Sequence, residues 1–314
     1  VAGLLAAHER WGKLPLKTVM KPAIQLAEKG IVVGNDLAES LRYSANRLNQ
    51  YPATKASFFP DGKPPQIGTL LKQPDLAKTL KQIAKKGRAG FYRGEVAQTI
   101  VDYMKQNGGL ITLQDLMDYQ PKWRTPVTGS YRGRDIVSMP PPSSGGAHLI
   151  QMLNIMEHYN LREMGVNSAQ AIHILAEAAK RAYKDRAKYM GDTDFVAVPL
   201  ARLMSKDYAR SLNETIQLDR RTPSNELKGH VQPHADESDE TTHFSVIDAE
   251  GNAISNTYTL NFSYGNGQVV PGLGFFLNNE MDDFSAKPGA VNAYGLIGSE
   301  ANKVEPKKRM LSSM

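Results

Sequence analysis

The chain has 314 residues, of which 41% are hydrophobic and 22% charged, with a formal net charge of +6. That length suits about two domains or one large α/β domain, and so much apolar content excludes disorder as a description of the whole. No apolar run reaches the roughly 18 residues that a spanning helix needs. Cys stands at 0, which removes disulfides, thiolate catalysis and cysteine-bound zinc.

The sequence opens at Val1 with no Met and no basic-then-apolar segment, so a processed or truncated piece is expected, with any targeting signal outside view. Acids outnumber bases after residue 240, which puts the basic excess in residues 1–240. Those Lys and Arg residues are scattered through amphipathic helices beside Glu or Asp, as in KPAIQLAEKG. They read as solvated helical surface rather than a nucleic-acid face.

In chain order, Asn35 is placed to cap a helix through LAESLRYSANRL, its side-chain oxygen taking up a first-turn amide. DLAKTLKQIA repeats apolar positions at three and four from Asp75, and Gly87 is its stop signal. A similar helix covers residues 95–106 and ends in Asn107-Gly108-Gly109. Thr112 with Asp115 forms a capping-box pattern. A hairpin follows over residues 126–139, turning at Arg132-Gly133. The run Pro140-Pro-Pro-Ser-Ser-Gly-Gly146 then leads to a helix near Ala147. Its Ser143–Gly146 amides either cradle an anion or simply turn the chain into that helix. The longest helix is expected over residues 169–190. Residues 218–240 form a polar linker without apolar period, either functional or flexible. At Thr241 the texture changes to an alternating strand, TTHFSVID, then a turn at residues 248–252 and a return strand over residues 253–260. Loops rich in Gly and Asn follow.

The chemistry must come from elsewhere than Cys. None of the seven His residues is spaced as HExxH. His230 and His234 lie in the proline-containing linker rather than on a helix, so no metal and no cofactor are expected. No GxSxG elbow and no phosphate loop occur. A Thr that ends a protease-accessible linker and opens a buried strand becomes a nucleophile if the bond before it is cut. The new α-amine, with an ordinary pKa of about 7.7–8.0, can serve as general base. Pattern alone leaves Thr241 and Thr242 equivalent, and strand propensity explains a TT pair equally well.

The surrounding motifs decide the matter. ESDETTHFSVIDAEGNAIS, TYTLNFSYGNG, LNNEMDDFSAKPGAVNAYGL and KRMLSSM resemble the gamma-glutamyltransferase (gamma-glutamyl transpeptidase) family of N-terminal-nucleophile hydrolases, nearest to its bacterial members. So do MPPPSSGG and AEAAKRAYKDRAKYMGDTDF upstream. The likeness runs in order along essentially the whole chain.

The resemblance implies an α+β fold, a four-layer αββα sandwich made as one precursor that cuts itself between Glu240 and Thr241. Residues 1–240 would be the C-terminal part of the large subunit and 241–314 the N-terminal part of the small one. Together they would form one catalytic domain in a cleaved heterodimer. Thr241 would attack the γ-amide of glutathione or another gamma-glutamyl compound. Water, or an amino acid or dipeptide acceptor, would resolve the ester. Thr259 would support the nucleophile's hydroxyl, while Asn261, Glu280 and Asp283 would receive the donor's α-ammonium. Ser312 and Ser313 would bind its carboxylate. Many bacterial members carry Gln at the position of Glu280. Residues 288–299 would be the lid loop, with Tyr294 reaching Asn261; family members without it act as cephalosporin acylases. The family's carboxylate-binding arginine is expected upstream of Val1 and its oxyanion-hole Gly-Gly pair downstream of Met314. The chain by itself is thus expected to be the middle of an enzyme. Bacterial members are exported to the periplasm or secreted. A related acylase and a ligand-binding homologue with a decayed site are the other readings.

Overall fold

A computed structural model describes residues 1–223, 226, 241–287 and 289–312. The linker residues next to the expected cut, Glu240 included, lie outside the described residues, as do His230, His234, Pro288 and Ser313. The chain divides into two compact units: Val1–Trp123 with Glu240–Asn279, and Arg124–Asp239 with Glu280–Met314. Each unit therefore draws on both sides of the 240/241 boundary.

The first unit contains α1 (Ala2–Trp11), α2 (Leu16–Lys29), α3 (Asn35–Leu48), α4 (Pro52–Phe58), α5 (Pro74–Lys86), α6 (Ala89–Tyr92), α7 (Gly94–Gln106) and α8 (Leu113–Asp118). Gly87 ends α5 at φ +56°, a conformation that costs glycine nothing. The capping box on α8 is complete: Thr112 Oγ1 accepts from the Asp115 amide, and Asp115 Oδ2 accepts from the Thr112 amide at 2.8 Å. The cap of α3 differs from expectation. Gly34 is the capping residue, and Asn35 is already helical with its amide directed to Asp36.

Two short strands, β1 (Ile31–Val32) and β2 (Leu70–Leu71), pair antiparallel in this unit. Its core has two parts. Val33, Leu41, Leu48, Phe58 and Phe59 enclose Val269, while Val96 and Ile100 enclose Val270 and Leu273. Adjacent residues of an extended segment point to opposite sides, so Val269 and Val270 each key into a different helical cluster.

The second unit contains the hairpin β3 (Val127–Tyr131) and β4 (Arg134–Ser138), paired from Val127↔Ser138 to Tyr131↔Arg134. Arg132 and Gly133 both take positive φ, the tight-turn geometry that suits two antiparallel strands. Its helices are α9 (Gly145–Met156), α10 (Leu161–Met164), α11 (Ala169–Tyr189), α12 (Leu200–Leu203) and α13 (Lys206–Asn213). Ala147, Met190, Leu203 and Leu311 form one cluster; Ile155, Ala178 and Ala209 form the next.

The hairpin that opens at the expected nucleophile, β5 (Thr242–Ile247) and β6 (Ala253–Tyr258), belongs to the first unit, has the expected strand–turn–strand order, and pairs from Thr242↔Tyr258 to Ile247↔Ala253. The expectation of a buried strand fails here: every residue of β5 is exposed. Its apolar positions have no covering layer among the described residues, only the partner strand. The observed class is mixed helix and sheet, with the named strands in antiparallel pairs.

Candidate active site

Thr241 stands just before β5 and is exposed. Its Oγ1 lies 3.2 Å from Thr259 Oγ1, one residue past β6. The hairpin creates that proximity, since its register brings the two strand ends together. Thr259 Oγ1 also accepts the Asn261 amide at 2.9 Å, which fixes the oxygen in place. Asn261 is buried at φ +75°, a left-handed conformation that Asn tolerates better than most residues. Its Nδ2 donates to Asn279 O at 3.2 Å, and Asn279 Oδ1 accepts the Phe262 amide at 2.9 Å.

The loop beyond is held by side chains of α3 and α4. Arg47 donates to Gly265 O at 2.9 Å and to Ser263 O, and Tyr264 donates to Ser40 at 2.8 Å. Buried Thr54 donates to Gly267 O and accepts the Val269 amide, at 2.8 and 2.9 Å. A segment poor in regular structure thereby acquires a fixed path, because its backbone groups have dedicated partners.

In the second unit, Glu280–Asp283 forms a single 3-10 turn. Burial pushes the Glu280 carboxyl up to about 7, with the Asp283 charge adding to the effect. Burial likewise pushes Asp283 up to about 6; Arg186 opposes this, Asp282 reinforces it, and the Asn292 hydrogen bond opposes it. The turn is thus partly buried rather than fully solvated, with none of its residues wholly enclosed.

Ser312 sits in a strap across the Pro140–Gly146 turn. Its amide donates to Pro142 O at 2.9 Å, and its carbonyl accepts from Ser144 N and Ser144 Oγ at 2.8 and 2.9 Å. The Ser144 amide is spent on this strap and the Ser143 amide on Pro140 O. The idea of an anion cradle at Ser143–Gly146 gives way to a turn that holds the Ser312 backbone and starts α9.

The expected lid begins outside the described residues at Pro288, but its remainder is anchored to the acidic turn. Asn292 Nδ2 donates to Asp283 Oδ1 at 3.4 Å, and Asn292 Oδ1 accepts the Tyr294 and Leu296 amides at 3.0 and 2.9 Å. The Ala293 amide reaches Asp282 at 3.1 Å. Gly298 has no room for a side chain, because a Cβ would collide with Ser285 Oγ.

Supporting residues escaped the sequence reading. Asn279, Asn292 and Arg186 lie inside the motifs already noticed, so their stretches were visible but their roles were not. Asn302 carried no signal. Among the described residues no group of His, Asp or Glu is arranged to hold a metal ion, and no helix is long and apolar enough to cross a membrane.

The family model described as gamma-glutamyltranspeptidase matches residues 1–314. The chain is 48% identical over 316 aligned residues to the glutathione hydrolase proenzyme of Escherichia coli K12, covering 100% of this chain and 54% of that protein. It spans about half the length of the curated relatives it matches. The crystal structure of Helicobacter pylori gamma-glutamyltranspeptidase superposes with a TM-score of 0.71 at 47% identity, over 75% of this chain and 69% of that one. A cephalosporin acylase from Bacillus halodurans superposes with a TM-score of 0.83 at 26% identity, over 100% and 55%. The match runs from one end of the chain to the other and takes in the hydroxyl pair, the acidic turn and the strap alike, so the chain belongs to the gamma-glutamyltranspeptidase family.

Proposed function

We propose that this chain is part of a self-cleaving glutathione hydrolase and gamma-glutamyltransferase whose nucleophile is Thr241. The observation that carries the reading is the hydroxyl pair: Thr241 Oγ1 stands 3.2 Å from a Thr259 oxygen that the Asn261 amide holds in place. In the precursor, Thr241 Oγ attacks the Glu240 carbonyl; the C–N bond breaks as the ester forms, which frees the Thr241 amine, and water then hydrolyses the ester to a Glu240 carboxylate and the Thr241 hydroxyl. That amine then takes the Thr241 hydroxyl proton as the oxygen attacks the γ-amide of a donor such as glutathione. The C–N bond breaks, the departing amine carries the proton away, and a γ-glutamyl ester remains. Water resolves it to glutamate, or an amino acid or dipeptide accepts the acyl group.

Glu280, Asp283 and Asn261 receive the donor's α-ammonium, and Ser312 with Ser313 binds its carboxylate. The lid bearing Tyr294 walls off bound donor, and its tie to Asp283 through Asn292 supports that role. The uncovered β5–β6 hairpin fits one edge of a four-layer αββα sandwich completed by other parts of the protein. Cleavage leaves a heterodimer, and the protein is exported to the periplasm or secreted.

Intact-mass measurement of the complete precursor tests the reading. Two fragments are expected, the smaller beginning at Thr241, and Thr241→Ala is expected to stay whole and inactive. A single uncut chain with full activity overturns it. The likeness to the cephalosporin acylase supports a second reading, an acylase on the same scaffold. Faster turnover of glutaryl than of γ-glutamyl anilides would favour it.

A further inference from the structure

A γ-glutamyl donor carries its ammonium and carboxylate on one carbon, so the protein groups that bind them must keep a fixed separation. Under the proposed function those groups are Asp283 and Ser312, distant in sequence and on separate loops of the second unit. Precise spacing of this kind has to be supplied by side chains locked behind the contacts themselves.

One buried side chain spans the two loops. Asn302, at the end of the short turn Glu300–Asn302, donates from Nδ2 to Asp283 O at 2.7 Å and accepts the Leu311 amide on Oδ1 at 2.9 Å. Its backbone is engaged as well, since its carbonyl accepts the Ser285 amide at 3.0 Å and its amide donates to Ser299 O at 3.0 Å. The Asn302 carboxamide offers a donor and an acceptor from one planar group; Asp retains the acceptor alone and Leu neither.

A second brace runs alongside. Arg186 of α11 is buried, donates from Nε to Ser144 Oγ at 3.1 Å, and reaches Leu311 O at 3.5 Å. Ser144 in turn holds the Ser312 carbonyl, and the Arg186 charge acts on Asp283. Asn302 thus joins the Asp283 loop to the 311–312 strap directly, and Arg186 anchors the strap while its charge bears on Asp283.

We infer that Asn302, seconded by Arg186, is a positioning residue that sets the separation of Asp283 from Ser312 and thereby the preference for donors bearing both an α-ammonium and an α-carboxylate. The inference rests on the proposed function and acts entirely through residues already given roles.

The test compares kcat/KM for γ-glutamyl-p-nitroanilide and for glutaryl-p-nitroanilide, which lacks the ammonium, in the complete self-cleaved enzyme and in Asn302→Asp, Asn302→Ala and Arg186→Lys. The γ-glutamyl over glutaryl ratio is expected to fall about tenfold in Asn302→Ala, the size of one lost hydrogen bond, and mainly through KM. Asn302→Asp and Arg186→Lys are expected to lower it by smaller factors. General damage lowers both rates together, so a ratio within twofold of the parent in the Asn302 variants overturns the inference even if both activities drop. Should Asn302→Ala fail to self-cleave, Asn302→Asp decides, and if both fail, Arg186→Lys decides. A parent enzyme that turns over glutaryl but not γ-glutamyl substrate overturns the proposed function itself, and the inference with it.

Discussion

Glu280 and Asp283 are two acids in one turn, each held above the ordinary carboxylate range mainly by burial, at about 7 and about 6. The Asp283 charge adds to the shift of Glu280. Protonated, they cannot neutralise an ammonium, so the donor KM is expected to rise as pH falls from 8 to 5, with the acid limb of kcat/KM near pH 6–7. Glu280→Gln is expected to move that limb down toward pH 6, because the carboxyl held near 7 is removed and Asp283 alone remains to titrate. The stability sign is opposite to that of a salt-bridged acid. Folded values above the unfolded ones mean that this contribution is complete below about pH 4 and is lost as pH rises through 6–7. Glu280→Gln should therefore gain in urea midpoint on the parent between pH 5 and 8. The residue types and their spacing were readable here from the EMDD motif, but the shifts depend on burial, which no local pattern reports.

At the scale of the element, α11 shows where charge in a sequence misleads. Its Lys, Arg, Glu and Asp residues read as solvated surface, yet Glu177, Arg181, Asp185 and Arg186 are buried. Arg181 Nη1 meets Glu177 Oε2 at 2.7 Å, one helical turn away, and its other nitrogens bind Thr215. Glu177 accepts the Thr222 amide at 2.9 Å, and Gln151 donates to Asp185 at 2.6 Å. Burial pushes the Glu177 carboxyl up, but hydrogen bonds from Lys180, Thr222 and Arg181 together hold it at about 2. Its contribution to stability is thus present above about pH 4.5 and lost as pH falls toward 2. Arg181→Leu is expected to cost about 3–5 kcal/mol, the usual result of removing one partner of a buried pair. Urea denaturation at pH 7 should show a lower midpoint with an unchanged slope. The helix itself was legible from its Ala, Lys and Glu content, whereas its inward charges become intelligible only with Thr215 and Thr222 folded back beside it.

For the molecule as a whole, the two compact units each take residues from both sides of the expected cut. The most exposed regular element is the β5–β6 hairpin, with Phe244, Val246, Ile247, Ile254 and Tyr258 uncovered. An isolated two-stranded hairpin is marginal in water. In the 314-residue chain, amide exchange in β5–β6 is expected to be at least about 100-fold faster than in the middle of α11, read by hydrogen-exchange mass spectrometry. Equal protection in the two elements would show that the hairpin gains stability from contacts beyond strand pairing.

The sequence by itself determined the elements whose cause is local: the helix ended by Gly87, the Thr112–Asp115 capping box, the Arg132-Gly133 turn and the β5–β6 hairpin with its turn at residues 248–252. It also determined family membership, because long motifs such as ESDETTHFSV and LNNEMDDFSAKPGAVNAYGL occur in order along it. Tertiary structure alone decided that Val269 and Val270 key into separate helical clusters, that Gly34 rather than Asn35 caps α3, and that α11 hides its charges. It alone revealed Asn302 and Arg186 behind the acidic turn and the serine strap. Desolvation and hydrogen bonds between residues far apart in the chain depend on which groups the fold brings together, and a one-dimensional pattern carries no record of that.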